Sequence, residues 1–169
     1  MTTEDITFTT PSGKFKYSVR GLAINDGRVL LVTDDRFDFW FLPGGKVGMF
    51  EASDVALKRE GLEELGIEPI IERLLWTTEA AFYLDYYKCN VHELLTIYLI
   101  SLPKGSPIYE NEEGTGFEED GGEMIPSRYK WFDIDALDDV AMVPEFFKEA
   151  IKNIPEHPEN LIIDELGRK

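Results

Sequence analysis

Three glutamates, Glu60, Glu63 and Glu64, carry the most chemistry in this 169-residue chain, and Arg59 precedes them. The spacing i, i+3, i+4 makes them neighbours on one side of a helix, projecting the same way. Ser53, a good N-cap residue, and Gly66, a typical C-terminal signal, predict that helix's ends. At about 100° per residue, Val55, Leu62 and Leu65 fall on one arc of it and the glutamates on the other. Arg59, four residues before Glu63, is placed to pair with it. Like charges so spaced repel by roughly a few tenths of a kcal/mol per pair on an exposed helix, and by more when buried. Something cationic should therefore compensate. No thiol or imidazole is nearby to favour zinc, and clustered carboxylates suit a hard cation such as Mg²⁺ or Mn²⁺. Mg²⁺ prefers one or two carboxylates plus substrate phosphates. The residues read as a helix that holds a divalent cation against a phosphorylated ligand.

The surrounding stretch, Gly45 to Ile67, resembles the Nudix box, G-x5-E-x7-R-E-U-x-E-E-x-G-U, where U is a bulky aliphatic residue. Gly45, Glu51, Arg59, Glu60, Glu63, Glu64, Gly66 and Ile67 match it in register, and Gly61 stands where an aliphatic residue is expected. A glycine there costs about 1 kcal/mol of helix propensity relative to alanine and removes a packing side chain. Trp40-Phe41-Leu42-Pro43-Gly44, just before the box, is also typical of the family. By itself E-x-x-E-E is more often a solvated acidic face; the whole pattern argues for function.

Resemblance to the Nudix hydrolase family (MutT/Nudix domain) implies an α+β fold, an α/β/α sandwich with a mixed, curved sheet, over residues 1–169 as a single domain. It implies divalent-metal-dependent hydrolysis of the pyrophosphate bond in a nucleoside diphosphate linked to another moiety. Metal ligands are then Glu60, Glu63, Glu64 and the Gly45 carbonyl, with Arg59 orienting the carboxylates and Glu51 bracing the loop–helix junction. The water-activating base is a helix glutamate such as Glu63 or an acid from a later loop, with Glu118, Glu119 and Glu123 as candidates. Substrate contacts are expected from Arg36 and Lys46 on phosphate, Phe39 stacking on a base, and Tyr83, which lies about where dinucleoside-polyphosphate members carry a tyrosine. Arg128 and Lys130 are further phosphate candidates.

The elements that must position these residues follow from local pattern. Phe15–Ile24 is β-rich and ends in Asn25-Asp26-Gly27, a hairpin turn signal answered by Val29–Thr33. Asp34–Phe39 reads as a loop before a short Trp40–Leu42 strand. Glu68–Leu84 and Val91–Leu102 form a long hairpin, and Tyr129–Ile134 the last strand. Pro103–Gly122 reads as an irregular acidic segment, Val143–Asn153 as an amphipathic helix, and Pro155–Lys169 as a tail with an apolar Leu161-Ile162-Ile163 patch.

A formal net charge of −16 argues against nucleic-acid or anionic-membrane partners, which need basic surfaces. No apolar run approaches the ~20 residues of a membrane span, and the N-terminal residues lack a signal-peptide design. Cys89 is the only cysteine, so no internal disulfide forms, and a cytoplasmic location is expected. The partner is a small nucleotide-type substrate. His92 and the Leu161–Ile163 patch are candidate subunit surfaces for a homodimer. Two other classes compete with the enzyme: a catalytically silent Nudix-like nucleotide sensor and a plain acidic cation-binding protein. The intact carboxylates and the lack of a basic DNA-binding module favour the enzyme.

Overall fold

Asp26 (φ +49°) and Gly27 (φ +73°) take the left-handed backbone that a tight hairpin turn requires, folding β2 (Gly13–Asn25) antiparallel onto β3 (Arg28–Asp34). The computed structural model describes residues 4–120 and 122–167. β2 is the axis of a mixed sheet. One edge runs parallel to β6 (Cys89–Ser101), from Lys14 opposite Val91 to Ala23 opposite Ile100. The other edge meets in turn β1 (Thr7–Thr10), β4 (Gly44–Lys46) and β3. β5 (Ile70–Leu84) forms the long hairpin with β6, irregular in register between Ile71 and Trp76. The sheet order is β7-β8-β3-β2-β6-β5-β9, where β7 is Glu113–Asp120, β8 is Glu123–Asp133 and β9 is Glu159–Asp164.

Alternation along β2 divides its two faces. Tyr17 and Val19 pack with Ala56 and Leu57 of α1 (Ser53–Leu65) in one core. Leu22 on the other face joins Leu75, Trp76, Leu95, Ile97, Phe147 and Ile151 in a second. Among the described residues no helix is long and apolar enough to cross a membrane.

The structure corrects several expectations. The irregular acidic segment contains a 3₁₀ turn at Pro107–Tyr109 and then β7, paired with β8 along its whole length. The tail supplies β9, parallel to β5 from Trp76–Glu159 to Ala81–Asp164. The Trp40–Leu42 strand is reduced to single bridges, Phe41 to Val32 and Trp40 to Met142, while the strand proper forms at Gly44–Lys46. The C-terminal amphipathic helix shrinks to one turn, α2 (Phe147–Ala150), flanked by i→i−3 bonds. Phe147 and Ile151 are its buried anchors, and a stretch with one turn's worth of buried side chain lacks the packing that sustains a longer helix.

Helix α1 departs most from the periodicity reading. Gly66 ends it in the left-handed region (φ +68°), but Ser53 is its first residue rather than its cap, and the Ser53 hydroxyl bonds the Tyr98 hydroxyl at 2.9 Å. Val55 and Leu62 are 52% and 51% exposed, whereas Glu60 and Glu64 lie in the buried face with Ala56, Leu57, Gly61 and Leu65. The helix turns its carboxylates inward. Gly61 is explained by its neighbour: a Cβ there would overlap the Pro69 ring, so the aliphatic residue of the box pattern has no room.

Candidate active site

Glu64 is 2% exposed, and its Oε2 accepts the Gly44 N–H at 2.7 Å. Glu60, 6% exposed, lies against Gly45, where any Cβ would overlap its carboxylate. Glu63, one turn on from Glu60, lines a cavity of about 550 Å³ together with Gly45, Lys46, Arg59 and Glu60. Arg59 does more than pair with Glu63. Its Nε and Nη2 grip Glu51 at 3.0 and 3.1 Å, Nη2 donates to the Lys46 carbonyl at 3.0 Å, and Nη1 donates to Glu60 Oε1 at 2.8 Å, with Glu63 at 3.5 Å. Glu51 Oε2 also accepts the Gly48 N–H at 2.9 Å. Burial would raise the Glu51 carboxyl, but Arg59 and the Gly48 N–H hold it below the ordinary carboxylate value. One guanidinium thus ties the loop before α1 to the helix.

Arg20 is the residue that pattern reading missed. It projects from β2 beneath the site, over the Phe41 ring, and donates to the Leu42 carbonyl at 3.1 Å and to the Gly44 carbonyl. It fixes the glycine turn whose N–H holds Glu64. The signal was an arginine inside the otherwise apolar strand VRGLAI.

Burial pushes the Glu60 carboxyl up to about 7, against the pull of Arg59 and with the help of Glu63. Burial also lifts Glu64 well above the ordinary range, Glu60 and Glu118 adding to it while Arg20 and the Gly44 N–H oppose it. The carboxylates outnumber the cations here. Among the described residues no three acidic, imidazole or thiol groups converge as a ready-made metal cage: Glu64 is turned onto Gly44 and Glu60 onto Arg59. The donor set is nonetheless hard oxygen, short of positive charge, and beside a glycine that leaves the Glu60 carboxylate open, which fits a divalent cation.

A stability prediction follows. A carboxyl whose folded pKa is raised binds its proton more tightly folded than unfolded. Its effect is most favourable below the ordinary carboxylate range and is lost as pH rises through the folded pKa. Chelated protein should therefore melt about 5 °C lower at pH 8 than at pH 5.5. Millimolar Mg²⁺ should restore the difference at pH 8 and do little at pH 5.5. A flat melting profile with and without Mg²⁺ would show that burial of Glu60 and Glu64 is compensated in some other way.

A second acidic group faces the cavity from β7. Arg36 Nη2 lies 2.7 Å from Glu118 Oε2 and 2.8 Å from Asp34 Oδ2, while its Nε and backbone N–H reach Asp34 Oδ1 at 2.9 and 2.8 Å. Asp34 is wholly buried; burial would raise it, but Arg36 holds it below the ordinary value. Burial raises Glu118, and its hydrogen bond with Asp34 raises it further. One guanidinium thus clamps both acids, with the Glu118 carboxyl pushed up and the Asp34 carboxyl held down.

Of the expected substrate contacts, Arg36, Phe39 and Lys46 line the cavity, Lys46 also meeting Asp5 at 3.0 Å. Tyr83 does not: it is 53% exposed, and its strand neighbours Phe82 and Leu84 face the cavity instead, as alternation requires. Glu123 is exposed on β8 and outside the lining. Glu119 pairs through its backbone with Met124, and its side chain lies outside the described residues. Arg128 is exposed and Lys130 faces Glu113 at 3.9 Å, so neither lines the cavity.

A family model for the NUDIX domain matches residues 14–154, and the chain belongs to that family. Among solved structures it is similar to a UDP-X diphosphatase, with 20% identity over 91% of this chain and 68% of that one and a TM-score of 0.59. It is also similar to the ORF135 protein of E. coli, with 21% identity, 86% and 94% coverage and a TM-score of 0.52. An ADP-ribose pyrophosphatase from Streptococcus suis 89-1591 shows 19% identity, 87% and 98% coverage and a TM-score of 0.51. At these identities the likeness is one of fold. A comparison with curated proteins gave no match.

Proposed function

We propose that this Nudix pyrophosphohydrolase cleaves the phosphoanhydride of a nucleoside diphosphate linked to a second moiety, and that it needs Mg²⁺ or Mn²⁺. The observation that carries the reading is the carboxylate edge of α1: Glu60 and Glu64 are buried, Glu60 and Glu63 line a cavity of about 550 Å³, and Glu64 lies behind that lining on the Gly44 N–H. Glu60, Glu63, Glu64 and the Gly45 carbonyl would hold the cation. When bound, it supplies neutralisation of the phosphate oxygens and activation of a water.

The chain's own residues do the rest. Arg59 keeps Glu60 and Glu51 in place through the bonds described above. Arg20 and Gly44 set the position of Glu64. Lys46 and Arg36, on the cavity wall, are cations placed to meet a phosphate. Glu118 takes the proton role, which the sequence left open between a helix glutamate and the later acids Glu118, Glu119 and Glu123: it faces the cavity, and burial beside Asp34 raises its pKa, as a group that must pick up a proton needs.

The test is phosphate-product release from a panel of nucleoside diphosphate derivatives with Mg²⁺ or Mn²⁺. Turnover of at least one is expected. Metal binding without any turnover would favour the silent sensor or the plain cation-binding protein. Glu118→Gln should lower kcat by about 100-fold and shift the acid limb of the pH–rate profile. An unchanged profile would return the proton role to α1.

A further inference from the structure

Lys16, Ser18 and Arg20 of β2 form a row along the floor of the cavity, because every second residue of a strand faces the same way. Arg20 stands at the Glu60–Glu64 end of that row. Lys16 is four residues away, about 13 Å at ~3.3 Å per residue. This matches the reach from a nucleotide's phosphoanhydride to the far edge of its base. Glu93 of β6 lies directly across from Lys16 in the parallel ladder, with Nζ and Oε1 3.0 Å apart and side chains only 14% and 6% exposed.

An ion pair withdrawn from water adds little stability that an apolar pair would not. This one is not sealed into a core: both side chains line the cavity. There the ammonium offers only donors and the carboxylate only acceptors. The same cavity is lined by apolar side chains, Phe82 and Leu84 of β5, Tyr87 of the following turn and Phe37 on the loop after β3. Tyr87 and Phe37 are linked through Tyr86, whose ring lies 5.1 and 5.2 Å from theirs. A donor–acceptor pair set among aromatic walls is the chemistry that reads the edge of a base while its faces stack.

Resting on the phosphoanhydride reading above, we infer that this end of the cavity is a nucleobase subsite selective for guanine. Glu93 accepts from guanine N1–H and the 2-amino group, and Lys16 donates to O6. The choice follows from counting groups. Guanine has two adjacent donors for the two carboxylate oxygens, with an acceptor beside them for the ammonium. Adenine presents one donor next to one acceptor. Uracil sets one donor between two acceptors, and cytosine has one donor followed by two acceptors. Each of these leaves a carboxylate oxygen unmatched or facing a lone pair. A site built to bond a group rejects the analogue that lacks it, because its own buried polar atom is then left unsatisfied.

The test is nucleoside binding followed by NMR in chelator, where no hydrolysis intrudes. Guanosine should bind at least about 10-fold more tightly than inosine, which lacks the 2-amino group, and than adenosine or uridine. Glu93→Gln should erase the guanosine–inosine difference, and Lys16→Met should weaken both alike. Equal affinities, no binding of any nucleoside, or a guanosine preference that survives Glu93→Gln would overturn the subsite. The ranking on the unmodified protein needs no variant, so it decides the question even if a substituted chain fails to fold. Turnover without base ranking would sink the subsite and spare the hydrolase reading. Base ranking without turnover of any phosphoanhydride would do the reverse.

Discussion

Glu64→Gln and Glu63→Gln are each expected to cut turnover by about 100-fold or more while the protein stays folded. The two variants should nevertheless differ in stability. Glu64 is buried, bonded to Gly44 N–H and short of compensating charge. Its amide replacement keeps an acceptor for that N–H and removes a charge whose burial opposes folding. In chelator at pH 8, Glu64→Gln should therefore melt no lower than the parent, and Mg²⁺ should stabilise it less. Glu63 is partly exposed to the cavity and only 3.5 Å from Arg59, a looser contact. Glu63→Gln should leave the melting temperature in chelator nearly unchanged. Steady-state kinetics with Mg²⁺, alongside melting curves with and without it, separate these outcomes. Near-parental kcat in both variants would remove the helix edge from the chemistry.

How far the sequence foretells this site depends on whether a feature is local. The Asn25-Asp26-Gly27 turn, the Gly66 stop and the long β5–β6 hairpin are set by neighbours in the chain, and composition announces them. The burial of α1 is not announced. Periodicity assumes that apolar residues face inward, whereas Val55 and Leu62 face solvent and Glu60 and Glu64 face the interior. A helix that serves chemistry inverts that assumption. The strands β7 and β9 leave no such mark: β9 pairs with the distant β5, and Glu113–Asp120 of β7 is acidic and glycine-rich, the composition of a loop. Lys16 and Glu93 look unrelated in the sequence and become partners through the register of a parallel ladder. That Glu118 lines the cavity and Glu123 does not is equally out of reach of the sequence, since it depends on which face of the β7–β8 hairpin meets the cavity.

That face is governed by Gly116, and Gly116→Ala should have the largest effect on stability. A Cβ at this position would overlap the backbone carbonyl of Glu64, and a helix backbone cannot step aside as a flexible side chain can. Overpacking of this kind costs up to about 3 kcal/mol, so melting should fall by about 6–12 °C. Thr115→Ala, an exposed neighbour on the same strand, should stay within about 0.5 kcal/mol of the parent. The loss should also reach the chemistry. Gly116 and Glu118 lie two apart and share a face of β7, so the close contact with α1 fixes both the helix edge and the aim of Glu118. Activity of Gly116→Ala should therefore drop even well below its melting temperature, where Thr115→Ala works normally. A Gly116→Ala protein with parental melting and rate would mean that β7 can lift from α1 without disturbing either carboxylate set.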